Sequence, residues 1–344
     1  MLLFTLLGSA AFLRLIGTRE VRGPWTALSY GGWMALAVAI HATAVLAIAA
    51  HGLIWLALVR TRRAVGPNRW LPGLGFLFAI GLALLFHALV LPQFVDTLLA
   101  PTMPGSATEW KSPLWLLSET LAGLTRGLPG GALVLVGGAL VGLLGVLSYA
   151  RQSLTVTAVL LLGTVLTAGA MIATHHNLWP RLFFFSAGFY VLIAMRGFAT
   201  WVALTARAGL EPLRGRLVTA LLALVSATSA ATLPGVWAPK QDYRGALEHV
   251  RASAAPGDAV VTVDMTTMPY RDCYTAGWEA VDNVEELIAI EARHPRTWLV
   301  YSTPTRLRAE LPELWERLQT EYRESRTFWG TVRGGEIVVL VRED

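Results

Sequence analysis

The sequence predicts an α-helical integral membrane bundle of about eight spans, followed by a small soluble α/β domain. Of its 344 residues, 54% are hydrophobic and only 15% are charged, whereas soluble proteins average about 25% charged residues. The apolar residues form long uncharged runs up to Val236, where the composition changes. Residues 1–236 carry 15 Lys and Arg against 5 Asp and Glu, and residues 237–344 carry 13 against 18. We therefore predict a domain boundary at residue 236.

The net charge of +5 combines a basic membrane part with an acidic tail. Positive residues in the loops between spans set the orientation of a membrane protein, so we do not interpret them as a nucleic-acid-binding surface. The one cysteine, Cys273, excludes an internal disulfide framework. The apolar segment Met1–Ile16 is followed by arginines instead of being preceded by them, which is the reverse of a secretory signal. We predict that this segment is a true span that enters the membrane from outside.

A spanning helix needs about 20 predominantly apolar residues. The runs that meet or approach this length, none of which contains Asp or Glu, are Leu2–Ile16, Thr26–His41, Thr43–Val59, Leu71–Leu91, Gly131–Ala150, Leu154–Thr174, Leu182–Met195 and Leu217–Val236. The second and third runs together cover 34 residues, far more than one crossing requires. We predict a tight hairpin there that breaks at His41, Ala42 and Thr43.

The arginines cluster at every second end of these spans. The twelve on one side are Arg14, Arg19, Arg22, Arg60, Arg62, Arg63, Arg69, Arg151, Arg196, Arg207, Arg214 and Arg216. The membrane loops on the other side carry only Lys111, Arg126 and Arg181. Because positive residues concentrate in cytoplasmic loops, we predict that both termini and the C-terminal domain are extracytoplasmic. The predicted location is the inner (plasma) membrane, crossed several times.

The outer loop 93–130 has a mixed character. Prolines and Gly105 interrupt it, and the pattern of Pro113–Leu124 predicts a short amphipathic helix that lies on the outer leaflet. Its carboxylates, Asp96, Glu109 and Glu119, are the only ones on the outer face of the membrane part. We interpret each of them as a solvated loop charge or a helix cap.

The tail 237–344 has the alternating pattern of a small sheet with helices packed on it. The predicted helices are Asp242–Ser253, Val284–Ala292 and Arg306–Tyr322, and the predicted strands are Ala259–Val263, Thr297–Tyr301, Thr327–Val332 and Glu336–Val341. The tail contains neither a GxGxxG motif nor a P-loop, so no nucleotide site is predicted. Four polar residues follow the first strand, where α/β domains often bind ligands, and they stay without an assigned role: Asp264, Tyr270, Arg271 and Asp272.

The segment Thr174–Arg181 places two histidines, a tryptophan and an arginine between two long apolar runs. The guanidinium of Arg181 suits the bidentate recognition of a phosphate, and His175 and His176 can donate hydrogen bonds or titrate near neutral pH. The alternative is an interfacial belt in which Trp179 anchors the helix end and Arg181 extends toward water. No metal site is predicted, because adjacent residues on a helix point to different sides.

Four other polar residues, His41, His51, His87 and Lys240, lie in or near the predicted spans. His41 lies at the outer tip of the predicted hairpin and is a candidate contributor to the same site. Lys240 lies just beyond the last span, on the outer side, although the segment around it also reads as a helix start with Asp242 near its N-terminus. His51 and His87 are predicted to pack between helices with a hydrogen-bond partner.

Three passages resemble the GT-C superfamily of membrane glycosyltransferases, in particular the bacterial relatives of protein mannosyltransferases and aminoarabinose transferases. They are Tyr30–Trp55 with its polar break at residues 41–43, His176–Leu192 with a Pro-Arg pair before an aromatic-aliphatic run, and Pro239–Arg244 followed by Pro256–Asp258. The likeness extends over nearly the whole chain. Members of that superfamily have a multi-span bundle, a sugar donor carried on a polyprenyl phosphate, and an outer α/β domain.

The resemblance implies a transferase that moves a sugar from a polyprenyl-phosphate donor to an acceptor on the outer face. Arg181 matches the family arginine, with Leu182 in place of the usual aromatic residue. It would hold the donor phosphate together with His175, His176 and Lys240. The implied partners are the polyprenyl-phosphate-linked sugar and membrane lipids, and no cofactor is predicted.

The sequence departs from the family at its start. The family places an essential acidic residue in an outer loop that precedes the segment matching Met1–Ile16. We therefore expect either a truncated product or further spans encoded in frame immediately upstream of Met1. An alternative function is that of a non-enzymatic membrane-anchored protein whose outer α/β domain binds a ligand or partner. A transporter is disfavoured, because the spans lack the acidic residues that line many transport pathways.

Overall fold

The computed structural model describes residues 1–17, 23–61, 69–99, 108–127, 131–207, 239–331 and 334–343, with a few isolated positions between 215 and 231. These residues divide into two compact units, the first formed by 1–101 with 109–229 and the second by 102–108 with 230–344. The boundary predicted at residue 236 and most of the last predicted span, Leu217–Val236, lie outside the described residues.

The first unit is helical. Its α-helices are α1 (Leu2–Ile16), α2 (Pro24–Ile40), α3 (Val45–Arg60), α4 (Leu71–His87), α5 (Leu91–Leu99), α6 (Pro113–Gly127), α7 (Gly131–Gln152), α8 (Leu154–Ala173) and α9 (Ala187–Arg207). Short 3₁₀ helices cover Ala42–Ala44, Thr108–Lys111 and Pro180–Ser186. The sequence prediction missed α5, which lies mostly inside the outer loop 93–130 and has only nine residues.

The predicted break between α2 and α3 is confirmed. His41 is extended, with φ −155° and ψ 110°, and the 3₁₀ turn then leads into α3. Tyr30 and His51, which lie eleven residues before and ten residues after His41, meet through a hydrogen bond of 3.3 Å. Such nearly equal spacing from the turn is what an antiparallel hairpin produces.

Glycines set the closest helix contacts. A Cβ atom on Gly145 of α7 would overlap the carbonyl oxygen of Ile193, and one on Gly197 of α9 would overlap that of Val141. Each Cβ points toward the N-terminus of its own helix, and each meets the partner residue one turn before the facing glycine. Hence α7 and α9 run parallel, as they must if α8 between them reverses direction. Small residues allow this approach of two backbones, which is typical of helix packing in membranes.

Three described helices are long and apolar enough to cross a membrane: Ala42–Arg60, Leu154–Ala173 and Pro180–Leu204. This number is smaller than the predicted eight. The helices α1, α2 and α4 have 15, 17 and 17 residues, and at about 1.5 Å per residue they are shorter than a hydrocarbon core of about 30 Å. Helix α7 has 22 residues, but the side chains of residues 131–135 lie outside the described part. The mainly helical, membrane-associated character of the first unit is confirmed.

The second unit is an α/β domain with a five-stranded sheet. Its elements are α10 (Tyr243–Ser253), β1 (Ala259–Val263), β2 (Glu279–Val281), α11 (Val284–Glu291), β3 (Arg296–Ser302), α12 (Pro304–Glu310), α13 (Pro312–Glu321), β4 (Arg323–Phe328) and β5 (Ile337–Glu343). The strand order is β2-β1-β3-β5-β4. Strand β1 pairs in parallel with β2 and β3, and β5 pairs antiparallel with β3 and β4.

Both faces of this sheet are covered. Alternate residues of a strand point to opposite faces, and on β3 the side chain of Leu299 packs in one apolar cluster while that of Val300 packs in the other. Leu287 of α11 and Leu314 of α13 belong to the first cluster, and Leu247 of α10 belongs to the second. The predicted sheet with packed helices is therefore confirmed.

Three predictions for this unit were wrong in detail. The strand predicted over Thr327–Val332 lies earlier in the chain, at Arg323–Phe328. The helix predicted over Arg306–Tyr322 is two helices, because Pro312 has no N–H to donate and disfavours a helical residue before it. Leu311 accordingly has φ −129° and ψ 63°. The edge strand β2 was missed, since three residues are too few for an alternating pattern to show.

Candidate functional site

The candidate site lies where α8 ends. Thr174 closes the helix, and the N–H groups of His175 and His176 donate to the carbonyl oxygens of Ile172 and Met171 at 3.2 and 2.9 Å. This bonding pattern usually requires a glycine in the left-handed conformation. His175 occupies that position with φ 54°, and its side chain is exposed. A residue with a Cβ atom is held there at a cost of about 1 kcal/mol.

The ring of His176 is held in one tautomer. The Thr174 hydroxyl donates its proton to the carbonyl of Ala170 at 2.8 Å, so its oxygen can only accept from another group. The Nδ1 atom of His176 lies 3.0 Å from this oxygen and 2.9 Å from the carbonyl oxygen of Thr174. Because neither oxygen can donate, Nδ1 carries the proton and Nε2 is left for another partner.

Arg181 begins the next structured segment, the 3₁₀ helix Pro180–Ser186. Its side chain is exposed, and its guanidinium carbon lies 5.5 Å from the ring centre of Trp179. Such a cation–π contact orients a guanidinium without using its N–H donors. In the part of the chain that the structure describes, Arg181 has no carboxylate partner. Among the described residues, no carboxylate therefore competes with a ligand for its charge.

Tryptophans of the outer loop support this arginine. The rings of Trp110 and Trp115 lie 5.0 and 5.4 Å from that of Trp179. The carbonyl oxygen of Trp110 also accepts a 2.8 Å hydrogen bond from the N–H of Leu178, which is fully buried. The sequence showed two tryptophans in the loop but did not indicate this contact, because it joins positions 68 residues apart.

The tip of the α2–α3 hairpin meets the same segment. The hydroxyl of Thr43 donates to the carbonyl oxygen of Leu182 at 2.9 Å, and its oxygen lies 2.7 Å from Nδ1 of His41. The single hydroxyl proton is used on Leu182, so Nδ1 of His41 must donate to Thr43. Nε2 of His41 then carries a lone pair. The sequence predicted Thr43 only as part of the hairpin break and did not indicate that its hydroxyl group orients the ring of His41.

The surroundings of His41 favour the neutral form of its imidazole. Partial burial lowers the pKa of its imidazole below the ordinary 6.5, and the positive charge of Arg181 lowers it further. The structure thus brings together two of the predicted residues, the guanidinium of Arg181 and the imidazole of His41, at one end of the bundle. The guanidinium can neutralise an anion, and the imidazole can accept a proton.

A buried amide also lies in this segment. The side-chain oxygen of Asn177 is inaccessible to solvent and has no hydrogen-bond partner among the described residues. Buried polar groups are almost always paired, and this oxygen is an exception among the described residues.

Of the two histidines predicted to pack between helices, His51 does so, whereas the bond of His87 stays within its own helix. His51 is 1% exposed, stacks on Phe12 at 4.4 Å, and has hydrogen bonds at both ring nitrogens, to Ser9 at 3.2 Å and to Tyr30 at 3.3 Å. His87 bonds to the carbonyl oxygen of Ala83 at 2.9 Å. The Ser9–His51 pair is enclosed by the core, so a substrate cannot reach it.

Lys240 belongs to the second unit. The N–H of Thr331 donates to the carbonyl oxygen of Pro239 at 3.0 Å, which holds the backbone of this segment. Asp242 caps α10 by accepting from the N–H of Gly245 at 2.9 Å, so the interpretation of this segment as a helix start is confirmed. A role for Lys240 beside Arg181 stays a prediction.

The polar residues after β1 have structural partners. Asp264 lies 3.2 Å from Arg306, Tyr270 is buried and donates to the carbonyl oxygen of Tyr243 at 3.1 Å, and Arg271 pairs with Asp272 at 2.7 Å. They do not form a catalytic constellation.

The second unit also has a cleft of about 470 Å³, lined by Arg293, His294, Arg317 and Arg342 around Glu291. Glu291 is 5% exposed and accepts hydrogen bonds from Arg317 and Tyr322. We interpret this cluster as a structural one, because its carboxylate is already paired. No group of three or more His, Cys, Asp or Glu that could hold a metal ion occurs among the described residues.

Comparison with known proteins adds no further assignment. No protein-family model matches this chain, and no curated protein matches it.

Proposed function

We propose that this protein is a membrane glycosyltransferase, or part of one, which transfers a sugar from a polyprenyl-phosphate donor to an acceptor on the outer face of the membrane. The bundle would cross the inner (plasma) membrane about eight times, with both termini and the α/β domain extracytoplasmic. The clusters of arginine at alternate span ends support this orientation.

A single observation carries the proposal: Arg181 is an exposed guanidinium with no carboxylate partner among the described residues, next to a neutral histidine. Polyprenyl-phosphate sugars have one phosphate at the water interface, between a lipid chain and a sugar. A planar guanidinium matches the oxygen atoms of such a phosphate. In this proposal His175 and His176 contribute hydrogen bonds, and Lys240 adds charge from the outer domain.

Equilibrium binding of polyprenyl monophosphate to the purified protein in detergent tests the anion site directly. Hydrogen bonds to a charged group contribute about 1.5 to 3 kcal/mol, so Arg181→Ala should weaken binding by about ten- to a hundred-fold. The matched control is Arg69→Ala. Arg69 also stacks on a tryptophan, Trp70, at 5.3 Å, but it lies beyond the far end of α3 from His41. Binding by this variant should equal that of the wild type.

Transfer is measured in membrane vesicles supplied with radiolabelled polyprenyl-phosphate-linked hexoses and pentoses, one at a time. Arg181→Ala should lose most donor consumption while its expression level is unchanged. If the wild type binds polyprenyl monophosphate but consumes no donor, the non-enzymatic alternative replaces the enzyme. If Arg181→Ala binds and consumes the donor like the wild type, the proposed phosphate site is wrong.

A further inference from the structure

We infer that His41 is the general base of the proposed reaction and that its Nε2 atom removes the proton from the acceptor hydroxyl group. This inference rests on the proposed function and deepens it by naming the proton acceptor, for which the sequence offered no carboxylate. It is carried by the hydrogen bonds around His41 and by the position of this residue beside the arginine proposed to bind phosphate.

The bonding around His41 leaves one nitrogen for a substrate. Thr43 has a single hydroxyl proton, which is donated to the carbonyl oxygen of Leu182. The 2.7 Å contact between Thr43 and His41 therefore requires a proton on Nδ1 of the imidazole. A general base needs the reverse arrangement at its other nitrogen, a lone pair without a competing donor. Among the residues that the structure describes, no donor is bonded to Nε2 of His41. Thr43 acts as a positioning residue in the way that an orienting group holds a catalytic histidine.

The charge around His41 also suits a base. The charged group that acts on it is Arg181, and the groups bonded at Nδ1 are the Thr43 hydroxyl and, through it, the Leu182 carbonyl. Partial burial and the guanidinium both lower the pKa of the ring, so both favour its unprotonated form. The Leu182 carbonyl belongs to the residue that follows Arg181, so one short segment positions both the base and the phosphate-binding group.

The proposed step transfers one proton and one glycosyl group. The acceptor oxygen gives its proton to Nε2 of His41 and forms a bond to the anomeric carbon of the sugar. The bond between that carbon and the phosphate oxygen breaks, and its electron pair stays on the phosphate. The products are the glycosylated acceptor, a polyprenyl phosphate with one more negative charge beside Arg181, and an imidazolium that returns its proton to water. A guanidinium that is close to the oxygen where charge develops favours this step.

Two other groups compete for the role of base. His176 also has a bonded Nδ1 and an Nε2 that is left for another partner, and Glu109 precedes Trp110, whose carbonyl oxygen is bonded to Leu178. His41 is favoured over His176 because it is linked by hydrogen bonds to the residue next to Arg181. It is favoured over Glu109 because its free nitrogen is identified by the bonding.

The experiment measures kcat/KM for donor consumption against pH in vesicles containing the wild type, His41→Gln, His176→Gln or Glu109→Gln. Removing a general base costs about a hundred-fold or more. We expect this loss, together with loss of the acidic limb of the wild-type profile, in His41→Gln. His176→Gln loses a hydrogen bond to the donor and should have a lower kcat/KM, but it should keep the acidic limb, and Glu109→Gln should keep both. Thr43→Val should lower kcat without changing KM, and Thr43→Ser, which keeps the hydroxyl, should restore it.

Binding of polyprenyl monophosphate separates this inference from the proposed function. His41→Gln should bind the probe within about two-fold of the wild type, which also shows that the variant is folded. If His41→Gln keeps the wild-type rate and acidic limb, or if Glu109→Gln or His176→Gln removes the limb instead, the inference is wrong while the transferase stands. If the wild type neither binds the probe nor consumes any donor, both fail.

Discussion

His51 and His41 lie ten residues apart in one helical hairpin, and their rings have opposite surroundings. The ring of His51 is enclosed by Ser9, Phe12 and Tyr30, and both of its nitrogens are hydrogen-bonded. The ring of His41 is half-buried, bonded at one nitrogen and close to the charge of Arg181. Among the described residues, the ring of His51 in the core therefore has no nitrogen left to bond, whereas the ring of His41 at the tip has one.

This difference distinguishes a structural histidine from a candidate functional one. A buried polar group must be satisfied within the protein, because the surroundings will not solvate it. A polar group at the water interface can lack a partner within the protein, since water forms hydrogen bonds with it until a ligand binds. Arg181 shows the same feature, since no carboxylate among the described residues pairs with its guanidinium.

The largest expected effect is the loss of stability when the enclosed ring is removed. His51→Ala leaves a cavity and two unpaired hydroxyl groups, so the free energy of unfolding should fall by about 3 kcal/mol. His41→Ala should cost at most about 1 kcal/mol, because Thr43 keeps its bond to Leu182. Thermal unfolding in detergent compares the two variants. Equal losses would remove the distinction between the two histidines.

A smaller effect is expected from relieving the backbone at the end of α8. His175→Gly should raise the stability by about 0.5 to 1 kcal/mol, since glycine adopts a φ of +54° without a Cβ penalty. His175→Ala is the matched control, because it removes the imidazole and keeps the Cβ atom. If glycine and alanine give the same stability, the backbone of His175 is not strained.

The smallest effect is a pH dependence of stability that belongs to His41. Its pKa in the folded protein is below the ordinary 6.5, so the unfolded chain binds the proton more strongly. The contribution of His41 to the free energy of unfolding is complete above pH 6.5 and is lost as the pH falls toward the pKa in the folded protein. The unfolding temperatures of the wild type and of His41→Gln are measured from pH 7.5 to 5. As the pH falls, the unfolding temperature of the wild type should decrease relative to that of the variant. A constant difference would contradict the lowered pKa.

The sequence alone determined the architecture in outline, for physical reasons. Long apolar runs cannot remain in water, which predicts a helical membrane bundle, and the alternating pattern after Pro239 predicts a sheet with helices on it. The break at His41 was also predictable, since an uninterrupted helix of 34 residues would be too long for one crossing. The local sequence likewise singled out Thr174–Arg181, because polar residues between apolar runs need water or a cavity.

Only the tertiary structure decided what these polar residues do to one another. No pattern in the chain links Thr43 to Leu182, 139 positions away, or Trp110 to Leu178. The tautomer of His41 depends on where one hydroxyl proton goes, and that depends on which carbonyl oxygen the folded chain brings within reach. Hydrogen bonds between distant segments are set by packing, so the sequence could name Arg181 and His41 separately, and the fold linked His41, through Thr43, to the residue that follows Arg181.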